Sequence, residues 1–175
     1  MGSPKALLEY RGQTFLDRLA RLFAIHCHPV IVVLGAGADG IRAQVTAPVD
    51  ILVNEQWRSG QTSSMQCGLR AVPSSAEGVL FTLVDHPAVG PETINALLAG
   101  SGRVRVPRFE GRRGHPIWFS HDLIPEFLAI PPEGAARDVV RAHAAETEFL
   151  DVNDPAILAD IDDPAAYAAL TGGAV

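Results

Sequence analysis

The chain has 175 residues and a mass of 18.6 kDa, room for one domain over residues 1–175 with a sizeable core and little for a second. Its 14 Lys plus Arg against 20 Asp plus Glu give a formal charge of −6 and a pI near 5.4. That balance argues against a protein that coats nucleic acid, because neutralising phosphates needs a surplus of cations on one face. Hydrophobic residues make up 47% and charged residues 19%, a balance that buries a core and is unlike a disordered chain.

Only two cysteines occur, Cys27 and Cys67, which is no disulfide framework and suits a reducing compartment. The longest apolar stretch, Val30 to Ala38, contains two glycines and falls far short of the roughly 20 residues that span a bilayer. No apolar run follows the amino terminus to make a secretory signal. The expectation is a cytoplasmic protein with neither a membrane nor a nucleic-acid partner.

In chain order, Phe15, Leu16, Leu19, Leu22 and Phe23 recur at helical spacing behind a candidate N-cap, Thr14. Pro29 to Leu34 is continuous and β-branched, a short helical segment covers Asp39 to Val45, and Val49 to Val53 is a second strand. Uninterrupted apolar strands of this kind belong to a sheet covered on both faces. A helix from Ser63 to Ala71 leads into Gly78 to Asp85, the most apolar strand. Pro91 opens a helix ending near Gly100, and Arg103 to Phe109 with Pro116 to Ser120 flank a turn at Gly111-Arg-Arg-Gly114. Helices over His121 to Ala129 and Ala135 to Ala145, a strand over Thr147 to Val152, and an Ala-rich helical end from Pro155 complete the chain. Alternating strands and helices are the α/β pattern.

Gly35-Ala-Gly37-Ala-Asp-Gly40 is a GxGxxG after a strand, with Glu55 twenty positions beyond Gly35. The helix that follows is too short for a dinucleotide-binding unit, so a tight turn is the preferred reading. Asp85, followed by His86 and Pro87, closes its strand at the carboxyl edge, where open α/β sheets bind ligands and a carboxylate suits Mg²⁺. Asp160-Ile-Asp162-Asp163-Pro164 offers either another metal oxygen or a helix cap from Asp162 or Asp163. Gln61-Thr-Ser63-Ser64 stands at a helix start, fit to hold a nucleotide or simply to cap. Arg112-Arg113-Gly-His115 places two cations and a histidine in a turn, fit for an anionic substrate or a solvated tip. His26 and His28 flank Cys27 without a further ligand nearby and read as a helix end.

Taken together, the motifs resemble the molybdenum cofactor cytidylyltransferase family, whose nucleotidyltransferase domain has a Rossmann-like, glycosyltransferase-A type fold. Met1 to Leu8 is similar to the second half of that family's amino-terminal signature, and Asn54 to Met65 to its nucleotide-contact segment. Val84-Asp85-His86-Pro87 resembles its metal-binding aspartate motif, Gly114-His115-Pro116 its substrate-side loop, and Asp160 to Pro164 its closing acidic motif. The resemblance implies a three-layer α/β sandwich with a mostly parallel central sheet. It implies that CMP passes from CTP to the terminal phosphate of molybdopterin-bound molybdenum, with pyrophosphate released. Lys5 would neutralise CTP phosphates, Asp85 and Asp162 would hold Mg²⁺, Gln61, Ser63 and Ser64 would contact the nucleoside, and His115 would face the pterin. CTP and the molybdenum cofactor would then be the partners, with a molybdenum hydroxylase of the xanthine dehydrogenase type as receiving enzyme.

The family signature opens with a strand and a glycine-rich loop ahead of the position of Met1, and that half is absent here. The resemblance therefore implies that the first, central strand is missing, together with backbone N–H groups that cradle a triphosphate. It also implies a longer native protein that is more active than this chain. His86 stands where glutamine is usual, Ala135 where glycine is usual, and Ala165-Ala166 where acidic residues are common. The alternatives are a sister enzyme using GTP, a non-catalytic cofactor carrier that has lost its triphosphate loop, and a nicotinamide-dependent enzyme using Gly35 to Gly40.

Overall fold

The computed structural model describes residues 4–131 and 133–172; Met1 to Ser3 of the amino-terminal motif lie outside the described residues. A 3-10 turn over Lys5–Leu7 opens the chain. Strands β1 (Glu9–Tyr10) and β2 (Gln13–Thr14) then form a small antiparallel hairpin, which the sequence pattern does not predict. Helix α1 (Phe15–Ala24) starts on Thr14, whose Oγ1 accepts a hydrogen bond from the Asp17 N–H at 3.1 Å, as a Ser/Thr N-cap should.

Strand β3 (Ile31–Leu34), the five-residue helix α2 (Ala38–Arg42) and strand β4 (Asp50–Val53) follow, with β3 and β4 parallel from Ile31↔Asp50 to Leu34↔Val53. Helix α3 (Gln61–Leu69) returns the chain to β5 (Gly78–Phe81), and α4 (Pro91–Ala99) precedes β6 (Val104–Phe109), β7 (Arg112–Arg113) and β8 (Ile117–Ser120). Helices α5 (Ile124–Leu128) and α6 (Ala136–Ala142), strand β9 (Thr147–Asp151) and helix α7 (Pro164–Gly172) complete it.

Strand β8 pairs antiparallel with both β5 and β6, while β9 pairs parallel with β6. Strands β5, β6 and β9 therefore run the same way, and β3 and β4 are parallel to each other in their own ladder. Within the five-stranded sheet β8 and the short β7 run opposite to them in this α/β architecture. Among the described residues the ladders fall into two parts, β3–β4 and the five-stranded β5–β8–β6–β7 with β9, besides the β1–β2 hairpin. Between β3 and β5 lies a cavity of about 660 Å³ lined by Val30–Leu34 and Gly78–Val84.

Strand β5 ends at Phe81 rather than at Asp85, because β8 supplies no partner beyond Ile117. Thr82 to Asp85 is left as a loop. Met65, Leu69, Val104, Phe119, Leu123, Phe127 and Val139 form one core where α3, α5 and α6 cover β6 and β8; the Phe119 and Phe127 rings lie 4.3 Å apart. A second core gathers Leu16, Ala20, Leu34 and Ile41 beneath α1 and α2.

Buried Asp17 ties α1 to the loop before β4: its carboxylate accepts from the Thr46 and Ala47 N–H groups at 2.9 and 2.8 Å and from the Thr46 hydroxyl. Burial opposes its charge, yet these bonds and the Arg21 cation hold its pKa below the usual value. The Asp17→Ala change should cost about 2 kcal/mol, since it leaves the buried Ala47 N–H and the part-buried Thr46 N–H without their acceptor. Urea unfolding at pH 7 measures this, and a loss below about 0.5 kcal/mol would contradict the role.

Candidate active site

The loop after β5 carries Asp85 to the carboxyl edge of the sheet, and a later segment is docked beside it. Asp154 accepts hydrogen bonds from Gly90 N–H, the Thr93 hydroxyl and Ala156 N–H at 2.9, 2.7 and 3.0 Å. Those bonds join the chain after Asp85 to the turn before Asp160. Buried Ile157 and Ile161 anchor that turn, and Ile161 N–H donates to the Asp85 carbonyl at 3.0 Å.

The outcome is an acidic cluster in which one carboxylate oxygen from each of Asp85, Asp160 and Asp162 lies within 4.8 Å of the others. Asp163 instead caps α7, its Oδ1 accepting from Ala166 N–H at 2.8 Å. The sequence leaves both Asp162 and Asp163 open as caps; the structure assigns the cap to Asp163 and turns Asp162 toward the cluster. There the Lys5 ammonium forms an ion pair with Asp162. Burial works against the charge of Lys5, but the hydrogen bond to Asp162 and the carboxylates of Asp162, Asp85 and Asp160 raise its pKa. Burial raises the Asp85 pKa, and burial together with Asp85 and Asp162 raises that of Asp160. The Asp162 carboxyl is held low, chiefly by Lys5. Three carboxylates facing one ammonium leave an excess of negative charge, and Asp85 Oδ1 is buried without a hydrogen-bond partner among the described residues. An all-oxygen, electron-rich set of this kind fits a hard divalent cation. Asp160 is the member that the sequence does not single out, since alternate residues of a loop carry no periodic signal.

Behind the cluster, His86 is buried with its Nε2 3.6 Å from Asp85 Oδ1, and its ring stacks on His115 at 4.9 Å between centroids. Burial, with His86 beside it, lowers the His115 pKa to about 4. At neutral pH His115 is therefore an uncharged hydrogen-bonding group, not a third cation beside Arg112 and Arg113. Arg113 itself stacks over the Phe149 ring at 4.3 Å. Gly114 has no substitute, because a Cβ there would come within 2.2 Å of the Ile157 carbonyl oxygen; that approach lets His115 N–H donate to the same carbonyl at 3.0 Å.

The helix start at α3 is built around Asn54, which the sequence places only inside a longer motif. Its buried amide donates to Ser63 Oγ and Ser64 Oγ at 2.9 and 3.0 Å, and its Oδ1 accepts from Gln56 N–H at 3.0 Å. Ser63 donates in turn to the Gly60 carbonyl at 2.7 Å. Both serines are thus engaged in shaping the turn, whereas Gln61 is exposed at the end of the cavity beside Gly35. The glycine motif has its own packing reasons: a Cβ on Gly35 would meet the Trp57 side chain at 2.6 Å, and Gly37 has φ +69°.

An α/β sheet bearing carboxylates and a lysine at its carboxyl edge is the architecture of a nucleotidyltransferase. Residues 1–147 match the MobA-like NTP transferase domain, and the chain belongs to that family. It is 32% identical over 171 residues to nicotine blue oxidoreductase of Paenarthrobacter nicotinovorans, covering 91% of this chain and 83% of that protein. Rv0371c of Mycobacterium tuberculosis H37Rv superposes with a TM-score of 0.84 at 25% identity, over 98% of this chain and 90% of that one; a manganese complex of Rv0371c is also known. A nucleotidyl transferase from Methanothermobacter shares the fold at a TM-score of 0.82, with 20% identity and coverages of 97% and 84%. No helix among the described residues is long and apolar enough to cross a membrane.

Neutral burial of His115 carries a pH signature. The unfolded imidazole takes a proton near pH 6.5 and the folded one only near 4, so the unfolded state binds more protons between those values. Stability is fully present above about pH 6.5 and falls as pH drops toward 4, by about 3 kcal/mol in all. Unfolding titrations at pH 7 and 4.5 should show His115→Gln losing less over that interval than the parent chain; equal losses would refute the assignment.

Proposed function

We propose that this nucleotidyltransferase moves CMP from CTP to the terminal phosphate of a molybdopterin-type molybdenum cofactor and releases pyrophosphate. The convergence of Asp85, Asp160, Asp162 and Lys5 on one sheet edge is the observation that carries the reading. A phosphate oxygen of the cofactor attacks the α-phosphorus, and the bond to the β-phosphate oxygen breaks. That nucleophile is ionised at neutral pH, so no general base is required.

Asp85 and Asp162, with Asp160 beside them, would hold Mg²⁺ or Mn²⁺, and the manganese complex of Rv0371c supports use of a divalent ion. Bound there, the ion would neutralise phosphate charge and favour an in-line displacement. Lys5 exchanges its Asp162 partner for a triphosphate oxygen, which positions the nucleotide. Gln61, with Ser63 and Ser64 behind it, takes the nucleoside side. Neutral His115 offers hydrogen bonding, without charge, to the pterin of the acceptor. A molybdenum hydroxylase is the receiving enzyme that such a product suits.

The oxidoreductase name of the Paenarthrobacter relative gives weight to a second reading, a nicotinamide-dependent enzyme using Gly35 to Gly40. The five-residue α2 and the packing of Gly35 under Trp57 weigh against it.

Pyrophosphate release with molybdenum cofactor present, assayed with CTP, GTP and NAD(P)H in parallel, separates the readings. CTP should support release, Asp85→Asn should lower it about 100-fold or more, and NAD(P)H should not bind saturably. Preference for GTP would move the chain to the sister reaction. The Lys5→Gln change should lower turnover while tightening Mn²⁺ binding to the free protein, because it removes the ammonium paired with Asp162; weaker Mn²⁺ binding would contradict that role.

A further inference from the structure

We propose that Arg18 is a positioning residue for the acidic edge: its hydrogen bond to the Pro87 carbonyl holds the loop that carries Asp85, and so sets where the Asp85 carboxylate stands against Asp160 and Asp162. The inference rests on the reading of Asp85 as a metal ligand, and it names a side chain outside the cluster on which that ligand depends. Among the described residues the pairing of β5 with β8 ends at Phe81, so no ladder fixes the backbone from Thr82 onward. Its place is decided by single contacts on both sides of Asp85. Ile161 N–H donates to the Asp85 carbonyl at 3.0 Å, Gly90 N–H donates to the Asp154 carboxylate at 2.9 Å, and Arg18 Nε–H donates to the Pro87 carbonyl at 2.7 Å. The first two reach the loop from the segment after β9. The Arg18 bond ties it to α1.

The surroundings make this tie stiff. Pro87 is fully buried, so water does not readily replace a lost donor, and an unsatisfied buried acceptor is costly. Arg18 is half-buried, and its guanidinium lies over the Tyr10 ring at 5.2 Å from the centroid, an attraction that restrains the side chain. Tyr10 is itself buried beside Phe15 and Ile161, against Val84 and Ala88 from either side of Asp85. The guanidinium therefore rests on a packed ring. Pro87 follows Asp85 by two positions and its own φ is locked by the proline ring, so a shift of its carbonyl carries the Asp85 backbone along. Such a shift matters because Mg²⁺ demands oxygen ligands at about 2.0–2.1 Å. The carboxylate oxygens of Asp85, Asp160 and Asp162 lie within 4.8 Å of one another, close enough to share an ion only while the loop keeps its place.

The test separates the hydrogen bond from the charge. Glutamine places an N–H at the same position along the side chain as arginine Nε, methionine matches its length without a donor, and both remove the cation. Mn²⁺ dissociation constants are measured on the full chain, free of nucleotide, by electron paramagnetic resonance. Arg18→Met should weaken Mn²⁺ binding about tenfold, the scale on which outer partners of metal ligands act. Arg18→Gln should bind at least as tightly as the parent. Loss of charge alone has the opposite sign, because removing a cation near an acidic cluster tightens Mn²⁺ binding in both variants. On an Asp85→Asn background the two variants should bind Mn²⁺ equally, since the effect passes through the Asp85 carboxylate; a merely structural role would leave the difference in place. Equal binding by Arg18→Met and Arg18→Gln with Asp85 intact would overturn the proposal. So would a loss of about tenfold in Arg18→Gln, or a difference that persists on Asp85→Asn. If Asp85→Asn itself leaves Mn²⁺ binding unchanged, Asp85 is no ligand and the reading of the site fails together with this inference. Weakened binding in Asp85→Asn, with no difference between the Arg18 variants, strikes Arg18 alone.

Discussion

Mutual repulsion among Asp85, Asp160 and Asp162 is the constraint around which the molecule is arranged. Like charges held this close raise one another's pKa and destabilise the folded state unless something positive answers them. In the structure the answer is Lys5, more than 150 positions away in sequence, which draws the first turn of the chain onto the loop ahead of the last helix. The two ends of the fold are thereby tied at the sheet edge. The arrangement is costly as a structural device, since surface ion pairs contribute little. Under the proposed function, a cation bound with phosphates would supply the missing positive charge and take Lys5 as a partner.

The scaffold that makes the crowding tolerable is apolar and polar in turn. Ile157 and Ile161 are buried, so the acidic segment is held by its hydrophobic residues while its carboxylates point to the edge. Asp154 spends its carboxylate on three donors around it and adds no free charge to the cluster. His86 and His115 stay neutral behind Asp85 because burial lowers both pKa values. That leaves the acidic cluster dependent on Lys5 and on bound ligands for compensation.

Much of this was legible in the sequence because it is locally encoded. Thr14 caps α1 as its side chain dictates, the β-branched run at β3 forms a strand, and Pro91 opens α4. What the sequence hides is decided by partners distant along the chain. The β1–β2 hairpin turns on Arg11 at φ +51°, a left-handed arginine that no composition rule marks. The apolar run to Val84 reads as strand throughout, yet among the described residues its pairing with β8 ends at Phe81 and the rest becomes the loop that carries Asp85. Asp162 and Asp163 are chemically equal in the sequence; only the docking of α7 separates cap from cluster. Asn54 looks like one polar residue among several, and its organising role emerges only when Ser63 and Ser64 fold back onto it.

A structure of the protein with CTP and Mn²⁺, read through the anomalous signal of manganese, puts the acidic edge to the most direct trial. One manganese in contact with both Asp85 and Asp162, with Lys5 moved from Asp162 onto the triphosphate, is the predicted result. Manganese and triphosphate bound elsewhere, with the Lys5–Asp162 pair intact, would contradict it.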